Sequence, residues 1–220
     1  NGKTMLAKAA ATSLAKLYTG SGNSSGFFYV KGPELLSHLV SVAEHTIQNL
    51  FVQARKHKKE KGYPAIIFID EADSLMRKRG TGISSDIEHT IVPMFLAEMD
   101  GLEDSGAIVI LDTNRPDILD PAVVRDGRVD RKIRIDRPTP EAAMKIFHLY
   151  LRNTPIYNDT TIEVTKAAAL ELFSEKRVLY DICLKGENDK VLPFTLGHIC
   201  SGAMIAGIID QSTSLAIQRD

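Results

Sequence analysis

Four short stretches of this chain carry residue types suited to handling phosphate. "NGKT" opens it, and Gly2-Lys3-Thr4 matches the tail of the phosphate-binding pattern Gly-x-x-x-x-Gly-Lys-Ser/Thr. In that pattern backbone N–H groups wrap a phosphate while the following helix directs its positive end at it. Lys3 would reach the terminal phosphates, and the Thr4 hydroxyl would hold a magnesium ion. Alone, Gly-Lys-Thr is weak, because many helices start this way. "AIIFIDEAD" strengthens it: an apolar run delivers Asp70 and Glu71 to the end of a strand, 67 residues after Lys3. Asp70 suits the magnesium shell, directly or through water, and Glu71 suits a general base that polarises an attacking water.

Two further stretches add to these. In "LDTNRPD" Asn114 follows an apolar strand, where a neutral amide can hold water or a γ-phosphate. An Asx turn before Pro116 is the competing reading. In "DPAVVRDGRVDRKIRID" Arg125 and Arg128 sit three apart. Guanidinium groups match phosphate geometry and neutralise charge in phosphoryl transfer. Facing inward they would serve the chain's own nucleotide; facing outward, a neighbour's, which would make a ring.

Positioning these residues at one edge calls for a parallel sheet. Helical spacing predicts a helix from Lys3 to Tyr18, and a strand comes after it at 27–30. A helical stretch in two pieces comes next, with Pro33 in a first turn. Continuous apolar runs at 64–70 and 107–112 read as strands buried on both faces. "SSDIEHTIVPMFLAEMDGL" reads as a helix containing Pro93. "DPAVVR" at 120–125 reads as a short helix and "RKIRID" at 131–136 as an edge strand. Strands alternating with helices give an α/β fold, a parallel sheet flanked by helices, whose carboxyl edge binds ligands. Pro138 and Pro140 mark a boundary, so the expected domains are 1–137 and 138–220. The second is small and mostly helical, with a β-hairpin turning at Gly-Glu-Asn-Asp and a last helix capped by Ser201.

Bulk composition is ordinary: 220 residues, 44% hydrophobic, 25% charged, net charge −1. That balance argues against wholesale nucleic-acid binding. The basic run at 55–61 has no interleaved aromatic residues and reads as a solvated helix end. Cys183 and Cys200 are too far apart for a metal knuckle and read as reduced thiols of a cytoplasmic protein. The six histidines show no metal-ligand spacing. No apolar run approaches the roughly 20 residues that a membrane helix needs. The chain opens inside a motif with no strand before it. A fragment is therefore expected, with the first strand truncated, poor stability in isolation and weak nucleotide binding.

Together, "GKT", "IIFIDEAD", "TNRP" and "LDPAVVRDGRVDRKI" resemble the AAA+ ATPases of the AAA subgroup, P-loop enzymes that use ATP and Mg2+. The resemblance implies that Gly2, Lys3, Thr4 and Met5 bind nucleotide, and that Thr4 and Asp70 hold the metal. It makes Asn114 a sensor of the γ-phosphate, and Arg125 and Arg128 arginine fingers acting on the next subunit. "SGAMI" is similar to the start of the lid helix that packs on adenine, which implicates Gly202 and Ala203. The lid position usually held by histidine falls on Tyr150.

"KGPELL", "RGTGISSDIEHTIVPMFLAEMDGLE" and "SGAMIAGIIDQ" resemble more narrowly the bacterial proteasome-associated ATPases. That resemblance implies a homo-hexameric unfoldase that threads Pup-type tagged proteins into a 20S proteasome core, without nucleic acid or membrane. Its pore loops would be His38, Leu39 and Val40, then Gly80, Thr81 and Gly82. Leu39 stands where an aromatic residue is expected and Ser41 where glycine is, and the core face of a helix is the competing reading there. Alternatives are a remodelling ATPase of another clade, uncoupled from a protease, and a nucleotide-binding scaffold.

Overall fold

A computed structural model describes residues 2–22, 26–36, 40–77, 85–100, 106–125, 128–152, 154, 156, 160–185 and 190–219. They form two compact units, Gly2–Ile133 and Arg134–Asp220. The expected pore-loop residues His38, Leu39, Gly80, Thr81 and Gly82 lie outside the described residues, and Val40 opens a helix.

The first unit holds a parallel sheet of β1 (Phe27–Lys31), β2 (Ala65–Asp70) and β3 (Ala107–Leu111), in that spatial order. Tyr29 lies opposite Phe68 and Lys31 opposite Asp70. Ile69 lies opposite Leu111, so the next step sets Asp70 beside Asp112. β2 is buried along Ala65–Ile69, as its apolar run requires when both neighbours and both faces are covered. Helices α1 (Lys3–Thr19), α2 (Gly32–Leu36), α3 (Val40–Lys61), α4 (Ala72–Leu75) and α5 (Ser85–Asp100) surround the sheet. α1 buries Ala7, Ala11 and Ala15, a stripe at i,i+4 spacing that allows close approach. α3 and α5 pack through Phe51 and Phe95, whose rings meet edge to face at 5.6 Å. Pro93 lies inside α5, as expected.

Two elements differ from the sequence reading. Residues 120–125 form turns, not a helix. The Asp120 carboxylate accepts from Ala122 N–H at 2.8 Å and its carbonyl accepts from Val123 N–H at 2.9 Å. A local Asp turn competes with a helix too short to repay its nucleation. A single 3-10 turn, Pro116–Ile118, precedes it. Residues 131–136 belong to no strand. Alternating polarity describes their faces, yet a strand needs a ladder partner. Ile133 is 74% exposed, and Arg134 pairs with Asp136.

The second unit contains α6 (Pro140–Leu151), α7 (Thr161–Leu172), β4 (Val178–Leu184), β5 (Lys190–Thr195), α8 (Leu196–Ile199) and α9 (Gly202–Ile217). The Thr139 hydroxyl caps α6 by accepting from Ala142 N–H, with Pro140 in the first turn. Ser201 caps α9 by accepting from Met204 N–H at 3.2 Å. Phe147, Leu172, Ile205 and Ile209 are among the residues of this unit's core. β4 and β5 pair antiparallel as the expected hairpin, and Tyr180 stacks on Phe194 at 4.6 Å. The turn at 186–189 lies outside the described residues. Burial pushes the Cys200 thiol up, so it is an inert packing residue.

One buried polar group of the first unit stands out. His57 is 7% exposed, sits edge-on to Tyr63 at 4.8 Å, and its Nε2 has no partner among the described residues. Burial and then Lys61 hold its pKa below the ordinary 6.5. The folded protein therefore takes up that proton less readily than the unfolded chain. The stability conferred by neutral His57 is complete above pH 6.5 and is lost as pH falls from there through the lower folded value. Melting temperature is expected to drop between pH 7 and 5, and His57→Gln is expected to flatten that decline; an equally steep decline in the variant rules the assignment out.

Candidate nucleotide site

The carboxyl edge of the sheet gathers the site. The ladder continues past β3, with Asp112 N–H donating to the Ile69 carbonyl at 2.8 Å and Ala72 N–H donating to the Asp112 carbonyl at 2.8 Å. These two bonds tie the ends of β2 and β3 to the start of α4. Between them the chain turns at Glu71, whose φ of 52° and ψ of 45° lie in the left-handed region. Glu71 is the one described non-glycine residue with positive φ. A side chain held there costs on the order of 1 kcal/mol. The turn leaves Glu71 exposed at the edge rather than buried in α4.

Gly2 precedes α1 with φ 83°. Among the described residues no side chain caps this helix, and no acid lies in its first turn. Space beside Gly2 is open: a Cβ added there would meet nothing within 4 Å. Unpaired first-turn N–H groups and the positive helix end suit an anion. Lys3, on that first turn, crosses to β3's end. Its Nζ donates to the Thr113 carbonyl at 3.1 Å and Asn114 Oδ1 at 2.8 Å, and pairs with Asp112 Oδ1 at 2.5 Å. Three consecutive residues thus receive one ammonium group.

Asp112 is 8% exposed. Burial raises its pKa, the Lys3 ammonium opposes that, and neighbouring Asp70 raises it again, leaving it above the ordinary carboxyl value. Asp70 also accepts from the Tyr29 hydroxyl at 2.9 Å. Desolvation, then this bond, pushes Tyr29 up to about 12. Thr113 Oγ1 donates to Asp73 at 2.7 Å and accepts from Arg115 N–H at 2.9 Å, so the turn before Pro116 is built by Thr113 rather than Asn114. The arrangement is an anion cradle at α1 beside paired carboxylates. Such a donor set fits a phosphate accompanied by a divalent cation.

Residues 1–137 match the family model described as "ATPase family associated with various cellular activities (AAA)". The chain belongs to the AAA ATPase family. It is similar to an "AAA ATPase forming ring-shaped complexes" of Bifidobacterium dentium, 42% identical over 224 residues, covering 99% of this chain and 41% of that protein. It is also similar to the "Proteasome-associated ATPase" of Frankia alni (41% over 239 residues; 99% and 39%) and of Thermomonospora curvata (41% over 235; 99% and 40%). The chain spans about two fifths of the length of these curated relatives. AAA membership implies that the domain binds nucleotide.

The AAA motifs are not all assembled alike. Lys3 meets Asn114 directly, and Asp70 lies beside Asp112, the acid that Lys3 pairs with. Arg128 is engaged within the chain: Nε and Nη2 form a fork on the Asp100 carboxylate at 2.7 and 2.6 Å, and Nη1 donates to the Ala122 carbonyl at 2.7 Å. The bond from Arg128 holds Asp100 below the usual carboxylate range. Arg125 is exposed. Tyr150, on α6, and Gly202 and Ala203, in the first turn of α9, belong to the second unit. Motif reading missed Asp112, Tyr29 and Asp100. Asp112 carried a readable signal, an acid directly after an apolar strand, as Asp70 is. Tyr29 and Asp100 carried none, since pairing across strands and between α5 and a loop is tertiary.

Removing the ammonium should expose the cost of the acids it pairs with. Lys3→Ala leaves the Asp112 carboxylate buried beside Asp70, and is expected to lower nucleotide-free stability by about 1–3 kcal/mol. Lys3→Ala/Asp112→Ala should recover most of that loss in denaturant titrations; a double variant no more stable than the single one contradicts the pairing.

Proposed function

We propose that this chain is the ATPase domain of a ring-forming protein unfoldase that feeds a 20S-type proteasome. The observation that carries the ATPase reading is Lys3 Nζ on Asn114 Oδ1 at 2.8 Å, which joins the phosphate loop to the sensor position at the edge where Asp70 emerges. The names of the relatives support the ring and the proteasome.

In this reading Gly2, Lys3, Thr4 and Met5 lie against the phosphates of ATP. The Thr4 hydroxyl and Asp70 hold magnesium, which when bound neutralises phosphate charge. Tyr29 fixes the Asp70 carboxylate. Glu71, placed outward by its left-handed backbone, takes the proton of the attacking water. Asn114 orients that water or the γ-phosphate. Tyr150, Gly202 and Ala203 contact adenine. Exposed Arg125 reaches a neighbour's triphosphate. Arg128, forked on Asp100, stiffens the loop that carries Arg125, and contacts phosphate itself only by exchanging that partner. Rings are hexamers, substrates are Pup-type tagged proteins, and the segments at 38–40 and 80–82 grip the moving chain in the cytoplasm.

Glu71→Gln is expected to retain ATP binding while hydrolysis falls at least about 100-fold. Hydrolysis at the parent rate would remove Glu71 as the base. For the shared site, Lys3→Ala and Arg125→Ala subunits, each inactive alone, are expected to regain hydrolysis when mixed. A mixture as inactive as its components would show that Arg125 does not act between subunits.

A further inference from the structure

The Lys3 ammonium group is fully partnered within the chain. A lysine ammonium has three protons to donate. Here the three go to the Asp112 carboxylate, the Thr113 carbonyl and the Asn114 amide oxygen. An incoming phosphate oxygen therefore displaces a partner. Two of the three are neutral and compatible with a nearby anion; Asp112 is charged and repels one.

Asp112 cannot easily retire. Its N–H and carbonyl are both held in the ladder, by the Ile69 carbonyl and Ala72 N–H at 2.8 Å each. Its side chain is 9% exposed, so water screens its charge poorly. Asp70 is its neighbour across the ladder, one step beyond the Ile69–Leu111 pair. When the ammonium turns to phosphate, the carboxylate stays close by.

We propose that Asp112 is a resident competitor for the phosphate: it positions Lys3 in the nucleotide-free domain and weakens nucleotide binding by opposing its charge. The inference rests on the reading that nucleotide binds at Lys3. A side chain acting through Lys3 in this way sets affinity, not the chemical step. Asp112→Asn keeps the shape and an oxygen acceptor for Lys3 but removes the charge, and Asp112→Glu keeps the charge.

The test is equilibrium binding of ADP and of ATP to the full-length protein by calorimetry, with Lys3→Ala as control. Asp112→Asn is expected to tighten both by about tenfold or more, the scale of a unit charge a few ångströms away near a protein surface. ATP should gain more than ADP because it carries the additional phosphate. Asp112→Glu should bind about as the parent does. Asp112→Ala, which removes charge and acceptor together, should also bind more tightly, and serves if the amide variant folds poorly. Lys3-dependent binding in the parent that Asp112→Asn and Asp112→Ala leave unchanged or weaken overturns this inference alone. Absence of Lys3-dependent binding in parent and variants overturns the nucleotide site together with it.

Discussion

β2 runs between two parallel partners, and its ladder to β3 does not stop where the strand stops. Asp112 N–H to the Ile69 carbonyl and Ala72 N–H to the Asp112 carbonyl carry it one step further, into the turn. A parallel ladder allows no slip of a single residue without turning every side chain to the opposite face. With β2 buried on both faces and ending at a carboxylate, slip is opposed because it would draw Asp70 into the apolar interior or push an apolar residue out of it. Asp70, Glu71, Asp112 and Asn114 are therefore set at one edge by the burial of Ile66–Ile69, residues that do no chemistry themselves.

Charge at that edge is balanced rather than neutral. Of its two carboxylates, Asp112 pairs with the Lys3 ammonium group and Asp70 accepts from the Tyr29 phenol. Burial alone would drive one acid to hold its proton. Lys3 opposes this, and Tyr29 adds a donor to Asp70. The uncapped start of α1 adds positive potential close by. The lysine is held there by three neighbours at once, the Asp112 carboxylate, the Thr113 carbonyl and the Asn114 amide oxygen.

The arginine pair illustrates a different constraint. Their spacing marks two guanidiniums for phosphate, but Arg128 forms a fork with Asp100, at the last residue of α5, and caps the Ala122 carbonyl. A fork of two parallel bonds is geometrically demanding. It ties the loop before residue 133 to the helix that packs on α3, and leaves Arg125 at the surface. Two residues with one motif origin thus take separate structural circumstances.

The sequence alone determined the local chemistry. Apolar runs ending in acids marked β2 and β3, the Gly-Lys-Thr start marked α1, and Ser201 marked the start of α9. Each signal is contained in a few adjacent residues, because backbone periodicity and capping are short-range. Only the tertiary structure decided that 131–136 is no strand, since a ladder needs a partner that periodicity does not supply. It alone brought Tyr29 to Asp70 across 41 residues, Arg128 to Asp100 across 28, and Asp112 to the lysine. Those contacts depend on strand register and helix packing, set by the whole core at once, and no window of sequence contains both partners.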